Sequence, residues 1–204
     1  MKKLILAAAA MALSTSAFAG PKWTYADVGY LSADSEDDDT DGYRVSGSYG
    51  FAELWHVGAA YNDFEVEGGN GTSGGSDGDF LELWAGVNPA LTDSTDFVFD
   101  IGYLDGSIEQ GNAEADFDGY VLRVGLRSYI TDNLELHAFA NSRSIDVDSF
   151  SPGGGSSDFN DIGVNAGGQY FFTENVSVGV DVIINGITGL FDDDIANFTA
   201  RYSF

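Results

Sequence analysis

Few side chains here could do chemistry: two histidines, no cysteine, five arginines beyond the first twenty residues and a large surplus of carboxylates. Without a thiol there is no disulfide framework, no thiolate metal site and no cysteine nucleophile. His56 and His137 have no Ser or Asp at a spacing that marks a catalytic group, so hydrogen bonding is their plainer role. The spacing Asp37-x-Asp39-x-Asp41-Gly42 matches the first half of an EF-hand calcium loop. The closing position is Ser48 and not Glu, and a strand pattern follows where a helix is required, so it is not an EF-hand. A looser divalent-cation site on Asp37, Asp38, Asp39 and Asp41, or with Asp192, Asp193 and Asp194, stands against the reading of solvated, mutually repelling loops. No cofactor motif is present.

The remaining charges sit at ordered places. Arg44, Arg123, Arg127, Arg143 and Arg201, with Asp27, Glu82, Asp100, Glu135 and Asp181, each fall inside a run that alternates apolar with polar or small residues. In Tyr120–Arg127, Tyr120, Leu122, Val124 and Leu126 share one parity, and Arg123 and Arg127 take the other. In Val176–Asn185, Val176, Val178, Val180, Val182 and Ile184 oppose Ser177, Gly179 and Asp181. A period of two belongs to strands, and helical spacing fits none of these runs. Strands are expected near 23–33, 42–51, 55–65, 79–88, 96–105, 118–129, 134–145, 160–172, 176–186 and 195–204.

The first nineteen residues read differently. Lys2 and Lys3 precede an apolar stretch, Leu4 to Leu13, and Ala17-Phe18-Ala19 is a small-residue cleavage site. This is a secretory signal peptide, which makes Gly20 the expected first residue of a mature single-domain chain over 20–204. The formal charge of −25 becomes −27 once Lys2 and Lys3 are removed. Such acidity excludes nucleic acid as a partner, because neutralising phosphates takes basic patches. At 44% hydrophobic and 14% aromatic residues the chain is too apolar for disorder. No later stretch is long and apolar enough for a membrane helix, so the chain is either soluble after export or crosses a membrane as strands.

Loop lengths favour strands in a membrane. Long connections (SEDDDTD before Gly42, EGGNGTSGGSDG at 67–78, DGSIEQGNAEAD at 105–116, DVDSFSPGGGSSD at 146–158, GITGLFDDD at 186–194) alternate with short ones at 52–54, 88–95, 131–133 and 173–175. A transmembrane barrel has that alternation, with the termini in the periplasm. A soluble sandwich or lipocalin-like barrel has no cause for it. The expected fold is all-β: an antiparallel up-and-down transmembrane β-barrel of about ten strands, with eight as the alternative. The arginine-free parity would meet lipid, since an Arg at the bilayer midplane costs about 2–4 kcal/mol. Trp23, Phe51, Trp55, Phe97, Phe172 and Tyr202 would form one aromatic girdle, and Tyr30, Tyr43, Tyr61, Tyr103 and Tyr120 the other.

The ending Ala200-Arg201-Tyr202-Ser203-Phe204, with DGYRVSGSYGF at 41–51, DGYVLRVGLRSYI at 118–130 and GGQYFF closing at Phe172, resembles the small outer-membrane β-barrel proteins of proteobacteria, the OmpA-like and porin-like group. The resemblance implies a Gram-negative outer membrane, lipid as surroundings, and Tyr202 and Phe204 as a C-terminal signal read by the barrel-assembly machinery. It names a class and no molecular activity. A monomer is expected, because the apolar band is complete.

A ten-stranded bore is narrow. Five arginines facing five carboxylates predict a salt-bridge network that plugs it, with Gly29, Gly58, Gly86, Gly102, Gly125, Gly163 and Gly179 leaving room for Arg123, Trp84 or Phe139. Three functions follow: a non-enzymatic envelope and surface protein with acidic loops, a narrow channel for small or cationic solutes, and a membrane-embedded hydrolase. The last resembles the omptin proteases in strand number alone and is disfavoured by the poverty of histidine.

Overall fold

The computed structural model describes residues 21–34, 38–68, 75–111, 113–148, 156–186 and 194–204. The signal segment, Asp37, Asp192 and Asp193 lie outside the described residues. Among the described residues eleven strands follow in chain order: β1 (Tyr25–Asp34), β2 (Asp38–Phe51), β3 (Trp55–Gly68), β4 (Ser76–Val87), β5 (Ala90–Thr92), β6 (Thr95–Gln110), β7 (Ala113–Thr131), β8 (Leu134–Val147), β9 (Ser157–Phe171), β10 (Val176–Gly186) and β11 (Ile195–Ser203). Each long strand pairs antiparallel with its neighbours, β4 pairs with β6, and β1 pairs with β11, Tyr25 opposite Ser203. Ten long strands therefore close into an up-and-down barrel without edges. The short β5, absent from the sequence reading, is a side piece joined only to β6. The first and last described residues lie at one end of the barrel, where the Phe204 amide donates to the Thr24 carbonyl; this is here the terminal end, opposite the far end.

The strand period sorts the residues. Outward on neighbouring strands stand Val28, Val45, Leu83, Ile101, Leu122, Val124, Val164, Val178, Val180 and Phe198, all exposed. Among soluble proteins such a surface would be an aggregation hazard, and in a bilayer it is the lipid-facing belt. At its far edge Tyr30, Tyr43 and Tyr103 donate hydroxyl hydrogen bonds to Asp41 (2.5 Å), Asp63 (3.1 Å) and Asp118 (3.4 Å), so each ring lies in the belt with its polar tip toward charge.

Several strands outrun their expected ends. The segment 105–116, read as a long loop, is mostly hairpin: Asp105 to Gln110 completes β6, Ala113 opens β7, and Gly111 turns between them at φ 67°. Alternation continues there, because Ile108, Ala115 and Phe117 take the inward parity, and glycine alone adopts that φ without strain. Asp38 to Asp41, also assigned to a loop, open β2. Within the turn at 52–54, Ala52 and Glu53 carry positive φ (52° and 61°) without being glycine.

Candidate functional site

The inward parity brings together the charged residues that the sequence scatters. Arg127 and Glu135 face each other from β7 and β8 and form a two-pronged pair, Nε–Oε1 2.7 Å and Nη2–Oε2 3.0 Å. Arg201 on β11 reaches Glu135 at 3.5 Å and Asp27 on β1 at 3.2 Å. The Arg127 guanidinium lies over the Trp23 ring (4.7 Å) and that of Arg201 over Tyr25 (4.0 Å). Glu135 is 0% exposed, and Gln169, Ser177 and Ser203 beside it are equally sealed. Buried charge survives only when paired and hydrogen-bonded, and this group meets both conditions.

A second network lies deeper. Arg123 donates to Glu82 (2.6 Å) and to Asp100 (3.1 Å), and Arg44 sits 3.7 Å from Glu82 while donating to Asn62 (2.9 Å). Asp100 also accepts from His56 Nε2 at 2.7 Å. With its amide nitrogen turned toward Nδ1 of His56 (3.1 Å) and the Leu54 carbonyl (3.0 Å), Asn88 leaves the imidazole proton on Nε2, directed at Asp100. His137 bonds Asp181 through Nε2 and stacks on Phe139. Arg143 stands opposite Asp161 in register and within electrostatic reach of Glu82 and Arg123.

Toward the far end the same parity turns apolar. Leu104, Phe117, Val121 and Ile145 form a buried cluster with Phe80, Ile108 and Val147 against it. Glycines make the space: a Cβ on Gly58 would stand 2.2 Å from the Trp84 ring, and one on Gly78 2.4 Å from Phe64. A narrow cavity of about 240 Å³ runs along the bore, bordered by this cluster at one end, by Arg44, Arg123 and Arg143 midway, and by Trp23, Asp27, Arg127 and Arg201 at the other.

No protein-family model matches the sequence, and no curated protein does. Among solved structures, the translocator domain of autotransporter NalP from Neisseria meningitidis aligns with a TM-score of 0.51 at 12% identity, over 100% of this chain and 94% of that one. The NanC porin aligns with a TM-score of 0.50 at 8% identity, over 88% and 100%. The fold is that of the outer-membrane β-barrels. Together with the lipid-facing belt, it places this barrel in the outer membrane of a Gram-negative cell.

One residue of the expected aromatic girdle of this outer-membrane barrel stands elsewhere. Trp23 was assigned to the lipid-facing girdle, yet it turns into the bore, donates to Asp96 (2.7 Å) and stacks on His56 at 4.2 Å. It precedes β1, so strand parity does not govern it. The histidines do hydrogen-bond inside the bore, as expected, and each meets a carboxylate forty-four residues away. Register, not sequence spacing, sets those contacts.

Of the metal candidates, Asp39 and Asp41 are outward and exposed, and Asp41 accepts from Tyr30. Among the described residues no three carboxylates or imidazoles converge as a metal ion needs. Tyr202 is exposed on the outer face, with Phe204 packed edge-on against it at 4.9 Å.

Missed altogether was the inward apolar cluster. Its signal lay in runs where both parities are apolar, such as Tyr120-Val121-Leu122, in which Val121 shares the arginine side.

Proposed function

We propose that this chain is a non-conducting, non-enzymatic barrel that serves the envelope and the cell surface, with its termini in the periplasm and its acidic connections outside. The observation that carries the reading is the sealed Arg127–Glu135 pair. It spans neighbouring strands with both groups inside the bore, Trp23 covers the guanidinium, and Arg201 and Asp27 extend the seal to the opposite side of the seam. Ions would have to pass through charges already satisfied by one another, and breaking such a pair costs about 3–5 kcal/mol.

The non-enzymatic part has separate support. His56 is 1% exposed and held between Asn88, Asp100 and Trp23, which leaves its nitrogens engaged. A general base needs a free nitrogen within reach of a substrate proton. The surroundings implied are lipid, with Tyr202 and Phe204 offered to the assembly machinery and a monomeric state afterwards.

Refolded protein in a planar bilayer tests the proposal. Native protein shown to be inserted is expected to be silent, and the Arg127→Ala/Glu135→Ala double variant to give current through the opened bore. Steady cation-selective openings of the native protein would overturn it in favour of the narrow channel.

A further inference from the structure

The half of the bore away from the seal has the make-up of a binding site. Its upper wall is hydrocarbon: Leu31, Phe64, Phe80, Phe117, Val121 and Ile145 line the cavity. Its floor is polar and carries guanidinium groups from Arg44, Arg123 and Arg143. Exposure decides which sign of charge the floor presents. The side chains of Arg44 and Arg123 are each 21% exposed, whereas Glu82 and Asp100 are 8% and 6%. These side chains face the bore, so their exposed surface opens into it. Asn62, 2% exposed, has its oxygen bonded to Arg44 and its Nδ2 without a partner. A buried amide donor left unbonded costs about 1–3 kcal/mol, and an acceptor arriving in the cavity would recover that.

We propose that this cavity binds an elongated amphiphile with an anionic oxygen head, its tail among the phenylalanines and its head on Arg44, Arg123 and Asn62. A volume of about 240 Å³ far exceeds the roughly 10–15 Å³ that one water needs, so a tail of medium length fits. Charge-assisted bonds from planar guanidiniums suit carboxylate, sulfate or phosphate oxygens alike. The acidic exterior repels an anion on approach, so added salt should quicken association while leaving the desolvated head contacts largely in place.

Octanoate is the probe. Refolded barrel in zwitterionic phosphatidylcholine vesicles is dialysed against labelled octanoate, with protein-free vesicles as the baseline. Expected is saturable binding of one octanoate per barrel above that baseline, shared by octyl sulfate and at least tenfold weaker for octyltrimethylammonium. Val121→Phe fills the cavity and should abolish binding. Arg44→Gln should weaken octanoate at least tenfold and leave octanol unchanged, a split that loss of fold would not produce. Glu82 keeps Arg123 in that variant, and retained resistance to heat and detergent on gels shows that it is folded. No saturable uptake overturns the proposal, as does equal affinity for the ammonium probe. Binding untouched by Val121→Phe also overturns it, since it would place the octanoate on the lipid-facing surface.

Discussion

The two halves of this bore use the same inward parity of the same strands for opposite ends. Near the termini, the inward side chains are Arg127, Glu135, Arg201 and Asp27, joined by direct bonds and sealed. Toward the far end they are Leu104, Phe117, Val121 and Ile145, held by contact alone. Charge in a closed space needs a specific partner at a specific angle, so the first half tolerates little change. Apolar groups need only fit, so the second half can border open volume. A barrel can thus close one mouth with electrostatics and leave the other mouth lined with oil.

The largest effect should come from cutting the seal. Arg127→Ala leaves the buried Glu135 with only its longer contact to Arg201 (3.5 Å), and stability measured by urea titration of the vesicle-inserted protein should fall by about 3 kcal/mol, the low end for breaking a buried pair. Replacing both residues by apolar ones of similar volume, Arg127→Met with Glu135→Leu, should return most of that loss. If the single change costs nothing, the contrast between the halves fails.

In the apolar half, Phe117→Ala should cost about 3 kcal/mol, at the low end for such a truncation because the ring already borders a cavity. The matching apolar-to-apolar change Phe117→Leu should cost under about 1.5 kcal/mol. That leniency, set beside the strictness at Arg127, measures how differently the halves are held.

The smallest effect concerns the rim beyond the apolar half. Asp105, Asp118, Asp146 and Asp158 stand side by side in register on four successive strands. The hydrogen bond with Asp158 raises the pKa of Asp146 above the ordinary carboxylate value, helped by partial desolvation and the charges of Asp158 and Asp118. The folded rim therefore binds this proton more tightly than the unfolded chain, and its stability rises as pH falls through the raised value. Protection factors for amides near Asp146, taken relative to intrinsic exchange at each pH, should be higher in mild acid than at neutral pH, and Asp146→Asn should remove that difference.

How much of this could be read beforehand divides along the same line. Barrel, strand number and lipid-facing parity follow from period-two alternation, which is local and needs no knowledge of register. The ten charged residues were placed on one parity for the same reason, but who meets whom was not legible. The contact of Arg201 with Asp27 spans 174 positions, and that of Arg123 with Glu82 spans 41. Only the stagger of paired strands sets such distances. The apolar half was missed because a rule of polar inside and apolar outside hid residues such as Phe64 and Phe117, apolar on the inward parity. Trp23 was misplaced because it stands just ahead of a strand, where alternation has no hold.

The closure between β1 and β11 also governs the order of events. Asp27 is among the first residues of the barrel to be made, and Arg201 among the last. Every hairpin between them can form from near neighbours, but this pair requires the ends of the wall to meet, the contact with the longest loop to close. Until it forms, Arg201 is missing from beside Glu135 and the seal is unfinished. A barrel stalled before its last strand is therefore porous as well as unstable, and loss of leakage during assembly would mark the moment of closure.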